Sequence, residues 1–182
     1  VEDTGEAGRE RLAGQGVLLP LGQVTLCAPL PRPGMVISTG GNYHAHIEEV
    51  ARKTGGRHVP KEPIGFIKSN NAIIGPGEPI VLPPEDDHVD SEAELAVVIG
   101  RAGRRIPREA ALEHVAGYTV ANDVSARKLQ RNDGQWLRAK GSDTFLPVGP
   151  VFATRDEVDP ATGLRLRSWR IPGTGPEADA RI

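Results

Sequence analysis

The chain has 182 residues, enough for one domain with its own core, and 22 Lys and Arg against 24 Asp and Glu give a net charge of -2. That balance leaves no basic footprint for nucleic acid or an anionic membrane, and no apolar stretch is long enough to span a bilayer. The one cysteine, Cys27, has no internal partner and fits a reducing cytoplasm, and its apolar surroundings predict a buried thiol.

Glycine (22) and proline (16) favour turns and short elements over long helices. Residues 1–16 are polar and glycine-containing, and are expected to be disordered ahead of a domain over 17–167. From Val17 to Ile37, Pro20, Pro29, Pro31 and Pro33 interrupt short apolar runs, which reads as extended segments with tight turns. Tyr43 to Lys53 predicts a short helix, ended by Gly55-Gly56. A polar loop over 54–63 leads to a strand at Ile64 to Lys68, with another at Ile80 to Leu82. Glu92 to Ile99 is the strongest strand, placing Asp90, Glu92 and Glu94 on one face. Pro107 suits the first turn of a helix running to about Ala116, and Tyr118 to Asp123 resumes a strand. Residues 128–143 are charged and read as a surface loop, Phe145 to Phe152 as short extended structure, and 168–182 as an irregular tail. The sum is an α+β domain with too few helices for a doubly wound sheet.

Two acidic motifs carry the chemistry, Asp90-Ser-Glu92-Ala-Glu94-Leu and Asn122-Asp123-Val-Ser-Ala-Arg127. Glu92 and Glu94 share a strand face and repel each other unless a cation lies between them. The apolar run Leu95 to Ile99 predicts a buried strand, and buried carboxylates need partners. With Asp123 they form an oxygen-only set, which suits a hard cation such as Mg²⁺. An isolated Glu-x-Glu is more often a solvated strand face. His46 and Glu49, three apart on the helix, can meet as an oriented general base, although an exposed polar pair is the commoner outcome. His44 and Glu48, four apart, leave the choice of pair open on spacing alone. Lys68 and Lys140 each follow an apolar or small-residue stretch, and a surface position is the default expectation for either. Gly75-Pro-Gly77 and Gly173-Thr-Gly175 lack the strand–turn–helix context of a phosphate loop.

Taken together, five segments resemble the fumarylacetoacetate hydrolase superfamily, with its acylpyruvate hydrolases and 2-hydroxyhepta-2,4-diene-1,7-dioate isomerases. They are Gly41-Asn-Tyr-His-Ala-His-Ile-Glu-Glu49, Phe66-Ile-Lys68, Asp90 to Gly100, Gly117 to Arg127, and Ala139 to Pro150. The resemblance implies a mixed β-roll, commonly a homodimer, with Mg²⁺ or Mn²⁺ held by Glu92, Glu94 and Asp123. It implies a water-activating dyad of His46 and Glu49 and a ligand-facing Lys140, with Lys68, Arg127 and Gln130 toward the substrate. Lys128 stands where the family motif has an acid. The resemblance fades near Leu166, so the C-terminal part of the roll is expected to be missing. The implied reaction is hydrolysis of a carbon–carbon bond in an acylpyruvate or 1,3-diketo acid, through a metal-stabilised enolate. Isomerisation or decarboxylation of 2-oxo or 2-hydroxydienoate acids is the alternative chemistry, and a non-catalytic remnant the alternative of another class.

Overall fold

Short β-branched runs punctuated by glycine and proline give short elements. The computed structural model describes residues 5–16, 18–56, 61–168 and 180–181. In chain order these hold helix α1 (Gly5–Gly14), strand β1 (Val36–Gly40), helix α2 (His44–Thr54), and strands β2 (Ile64–Lys68) and β3 (Ile73–Ile74). Strands β4 (Val89–Asp90), β5 (Ala93–Ile99), β6 (Val115–Asn122) and β7 (Ser125–Ala126) follow. Helices α3 (Arg127–Asn132) and α4 (Leu137–Lys140) precede strands β8 (Leu146–Pro147), β9 (Ala153–Thr154), β10 (Arg167–Ser168) and β11 (Ala180–Arg181). Antiparallel pairs and one parallel pair, β3 with β8, combine with a few short helices in an α+β fold.

The antiparallel β5–β6 pair organises the rest. It runs in register from Ala93↔Asn122 to Val97↔Tyr118, and β9 continues the sheet against Gly117 and Tyr118. Beyond its end, β4 meets β7 with Asp90 opposite Ser125. β1 pairs with β2, which sets Val36 opposite Lys68. Ala72, Val124, Ala126, Leu129, Ala139 and Phe145 are central to the main hydrophobic cluster, where β7, α3, α4 and β8 converge. The small alanines let α3 and α4 approach β7 closely, and the fully buried Phe145 fills the remaining space.

Several expectations are corrected. The N-terminal segment expected to be disordered contains α1, because Glu, Ala, Arg and Leu between its glycines are good helix formers. Among the described residues Ile80 to Leu82 has no strand partner; Val81 N donates instead to the Thr144 hydroxyl at 2.7 Å. The stretch after Pro107 is a 3-10 helix, Arg108–His114, and β6 begins at Val115, earlier than expected. Helices α3 and α4 replace the expected loop over 128–143, since Leu129 and Ala139 give them a buried face. Cys27 is exposed, because its backbone packs against Gly75 and the next residue, Ala28, is the one that turns inward. β5 is not buried throughout: Val97 is 50% and Ile99 64% exposed, because side chains alternate along a strand and these two project from the same, uncovered end of one face. In the expected irregular tail, β11 pairs with β10 through Arg181↔Arg167, while 169–179 and 182 lie outside the described residues.

Candidate active site

The antiparallel register brings the two acidic motifs together. Asp123 N donates to Glu92 O at 2.8 Å just past the β5–β6 pairing, so a carboxylate from each motif stands at the same end of the sheet. The Asn122 side chain fixes this turn by accepting from Glu92 N at 2.9 Å and from the Ser91 hydroxyl at 3.1 Å. Spacing in the sequence gave each motif a face, and the register gives them a shared one.

Three basic side chains enter from other elements. Lys68, at the end of β2, is 1% exposed; its ammonium donates to Asp123 Oδ1 at 2.5 Å and to Val124 O at 3.2 Å. Lys140, at the end of α4, donates to Glu92 Oε2 at 2.7 Å and to Asp123 Oδ2 at 2.8 Å. Its ammonium also lies 5.0 Å from the centre of the Phe66 ring, which is steadied edge-on by Trp136. Arg127 opens α3 and holds Asp90 Oδ2 through Nε at 2.6 Å, Glu92 through a terminal nitrogen, and Gln130 Oε1 at 2.9 Å. Ser125 Oγ bonds Glu92 Oε2 at 3.2 Å and Asp123 O at 2.8 Å.

The charges are unequal in their comfort. Burial pushes Glu92 upward, yet Lys140 and Arg127 outweigh it and hold the carboxyl below its ordinary range. Burial also draws the Lys68 ammonium down, against the pull of Asp123. Glu94 is pushed up to about 6, first by burial and then by the Asp123 and Glu92 carboxylates, with its Tyr43 hydrogen bond working the other way. Tyr43 in turn rises to about 12, from burial and from the neighbouring Glu94, while its hydroxyl accepts from Leu95 N at 3.3 Å.

Glu92, Glu94, Asp123, Lys68, Lys140 and Arg127 therefore converge, with Gln130 behind Arg127. His46 is exposed on α2 and makes no hydrogen bond or ion pair with this cluster among the described residues; the Glu49 side chain lies outside them. Two contributors went unassigned in the sequence reading. Tyr43 had a signal, its place in the Gly-Asn-Tyr segment, whereas Ser125 had only its proximity to Asp123. Among the described residues no three acidic, imidazole or thiol groups stand at metal-ligand spacing, and the Lys140 ammonium lies between Glu92 and Asp123. The donor chemistry still fits a divalent cation. It is all oxygen, and four carboxylates counting Asp90 face three basic groups. Burial is the larger part of the upward push on Glu94, and the part that comes from Asp123 and Glu92 is repulsion of the kind that such a cation relieves.

A groove of about 710 Å³ opens from this cluster, with Tyr43, Glu94 and Asp123 among its polar lining and β1 and β5 supplying apolar walls.

Comparison with known proteins bears on this arrangement. The Fumarylacetoacetate (FAA) hydrolase C-terminal family matches residues 35–173. The Homo sapiens protein named oxaloacetate tautomerase FAHD2A, mitochondrial, is 46% identical over 167 residues, which cover 91% of this chain and 52% of that one. A solved 2-hydroxyhepta-2,4-diene-1,7-dioate isomerase from Mycobacterium marinum superposes with a TM-score of 0.71 at 42% identity, covering 90% of this chain and 56% of the isomerase. A 5-carboxymethyl-2-hydroxymuconate delta-isomerase from Mycobacterium smegmatis gives 0.68 at 46% identity, covering 82% and 53%. The chain spans about half the length of the curated relatives it matches. It belongs to the fumarylacetoacetate hydrolase family.

Proposed function

We propose that this family member carries the reaction centre of a tautomerase or isomerase of small 2-oxo acids, in place of the carbon–carbon hydrolase expected first. The observation that carries the reading is the Lys140 ammonium shared between Glu92 and Asp123 in a buried setting. Tautomerisation moves one proton between carbon 3 and the 2-oxo oxygen, through an enolate whose charge gathers on that oxygen. A fixed ammonium in a water-poor site stabilises such charge without having to reorganise. Lys68 and Arg127 hold Asp123 and Glu92 in place, so the Lys140 position does not depend on a mobile surface. Ser125 bonds Glu92 from the other side and steadies the same carboxylate. Glu92, Glu94 and Asp123 would hold a divalent cation, Mg²⁺ or Mn²⁺, which when bound supplies Lewis-acid stabilisation to the same oxygen. The names of the relatives, a tautomerase and two isomerases, support this chemistry over hydrolysis.

Hydrolysis makes a different demand, a base that activates water. His46 with Glu49 remains the candidate for it, and nothing in the described contacts ties His46 to the cluster. One experiment separates the two. Conversion of enol to keto oxaloacetate is followed by loss of enol absorbance with Mg²⁺ present, for the chain, Lys140→Met and His46→Ala. The expected result is a loss of about 10²–10³-fold in Lys140→Met, the scale for removing one charge-stabilising donor, and a near-normal rate in His46→Ala. A rate no faster than buffer, or one indifferent to Lys140→Met, refutes the proposal. Cleavage of acetylpyruvate that disappears in His46→Ala would restore the hydrolase.

A further inference from the structure

Lys140 reaches the carboxylates from α4, a helix of only four residues, so its own backbone alone does not fix the ammonium. Two of its three N–H bonds go to Glu92 Oε2 and Asp123 Oδ2, and among the described residues the third finds no acceptor. The Phe66 ring lies beneath the nitrogen, its centre 5.0 Å away. The face of an aromatic ring attracts a cation and brings no net charge of its own, so it restrains the ammonium without neutralising it. Phe66 is buried yet stands outside the main hydrophobic cluster. Strand β2 buries Phe66 and Lys68 and leaves Ile67 exposed, which burial of apolar area alone would not choose. Trp136 meets the Phe66 ring edge-on, with centroids 5.5 Å apart and planes at 69°. It immediately precedes α4, and its carbonyl accepts from Lys140 N at 2.9 Å, so one residue supports the ring and starts the turn that carries the lysine. The same indole lies against the end of β1, 3.7 Å from where a Cβ on Gly40 would stand. Ser69 Oγ donates to Gly141 O at 2.6 Å, which ties the residue after Lys68 to the residue after Lys140 and fixes β2 against α4.

We propose that Phe66, backed by Trp136, is a positioning residue for the Lys140 ammonium. The ring closes one side of the ammonium to water and opposes the pull of the two carboxylates. Without it the ammonium settles onto Glu92 and Asp123, and its charge is neutralised by them instead of meeting a developing enolate oxygen. The catalytic consequence rests on the reading of Lys140 as the group that stabilises the enolate; the placement itself does not. Such a residue matters most in the transition state, where the charge develops, and leaves substrate binding unchanged.

Two readouts on the full chain separate placement from chemistry. In the first, the lysines are isotopically labelled at Cε for NMR; there are five, and Lys140→Met identifies the signal of Lys140. The Phe66 ring current displaces the Lys140 ε-protons, and a fixed side chain keeps the two distinct. In Phe66→Leu the displacement should vanish and the two protons should converge. Trp136→Leu, at a half-buried position, should move them the same way by less, and it carries the comparison should Phe66→Leu fail to fold. In the second readout, the oxaloacetate assay with Mg²⁺, kcat of Phe66→Leu should fall about tenfold, the scale of one desolvated cation–π contact, while KM stays within about twofold. Loss of packing alone would lower the unfolding midpoint without that split. Unchanged ε-proton signals in a folded variant overturn the placement, whatever the kinetics. Changed signals with an unaltered kcat, in a chain whose rate depends on Lys140, overturn the catalytic consequence. A rate indifferent to Lys140→Met refutes the tautomerase reading instead, and the ε-proton signals alone then decide the positioning.

Discussion

Replacing Lys68 by methionine tests whether the buried ion pairs hold the site together. The substitution keeps the length and apolar stem of the side chain but removes its charge, so cavity formation contributes little. Asp123 is 5% exposed and loses its partner on Oδ1, while Lys140 still holds Oδ2. Val124 O loses a donor as well. Removing one member of a buried pair costs about 3–5 kcal/mol, and the surviving Lys140 contact places the expected loss near the low end, about 3 kcal/mol. For a chain of this size each kcal/mol moves the unfolding midpoint by about 2–4 °C, so the midpoint should fall by about 6–12 °C. Thermal unfolding by circular dichroism measures it. The companion variant Lys68→Met with Asp123→Asn removes the stranded charge, and should be less destabilised than the sum of the two single changes. A midpoint within 2 °C of wild type for Lys68→Met, or strict additivity in the double variant, would refute the reasoning.

Asp86 offers a test through pH. It is 2% exposed but lies close beneath the surface, and accepts from Leu129 N at 2.8 Å and His88 N at 2.9 Å, capping the start of α3 from a distant loop. Burial pushes its carboxyl up, but backbone donors from Leu129, His88 and Lys128 outweigh it and hold the group below its ordinary range. A folded pKa below the unfolded one gives stability that is present above about pH 4 and lost as pH falls through the folded value. Asp86→Asn should therefore cost about 1 kcal/mol at pH 7, with the gap to wild type closing in acid; a gap that stays constant with pH contradicts the cap. For the metal site, Mg²⁺ should raise the unfolding temperature of the chain by mass action, and Glu92→Gln should abolish that rise; an equal rise in both proteins removes Glu92 from the ligand set.

The sequence by itself determined the residue types of the site and the elements that carry them. The apolar run after Glu92 specified β5, and the turn residues around Tyr43 to Gly55 specified α2, because period and punctuation are local properties. The order of five motifs was enough to identify the family, which the match over 35–173 bears out. The helices over 128–143 were not legible, because their local composition is charged and only burial of Leu129 and Ala139 against β7 makes them fold. Tertiary structure also decided the pairing of charges. Lys68 and Asp123 are 55 residues apart, and no local pattern says which cation meets which carboxylate. The β5–β6 register and the β1–β2 ladder settle it, since a shift of one residue would turn Glu92 or Lys68 to the opposite face. Residue types are written along the chain, whereas the electrostatics of a buried site depend on distances that only the packed sheets define.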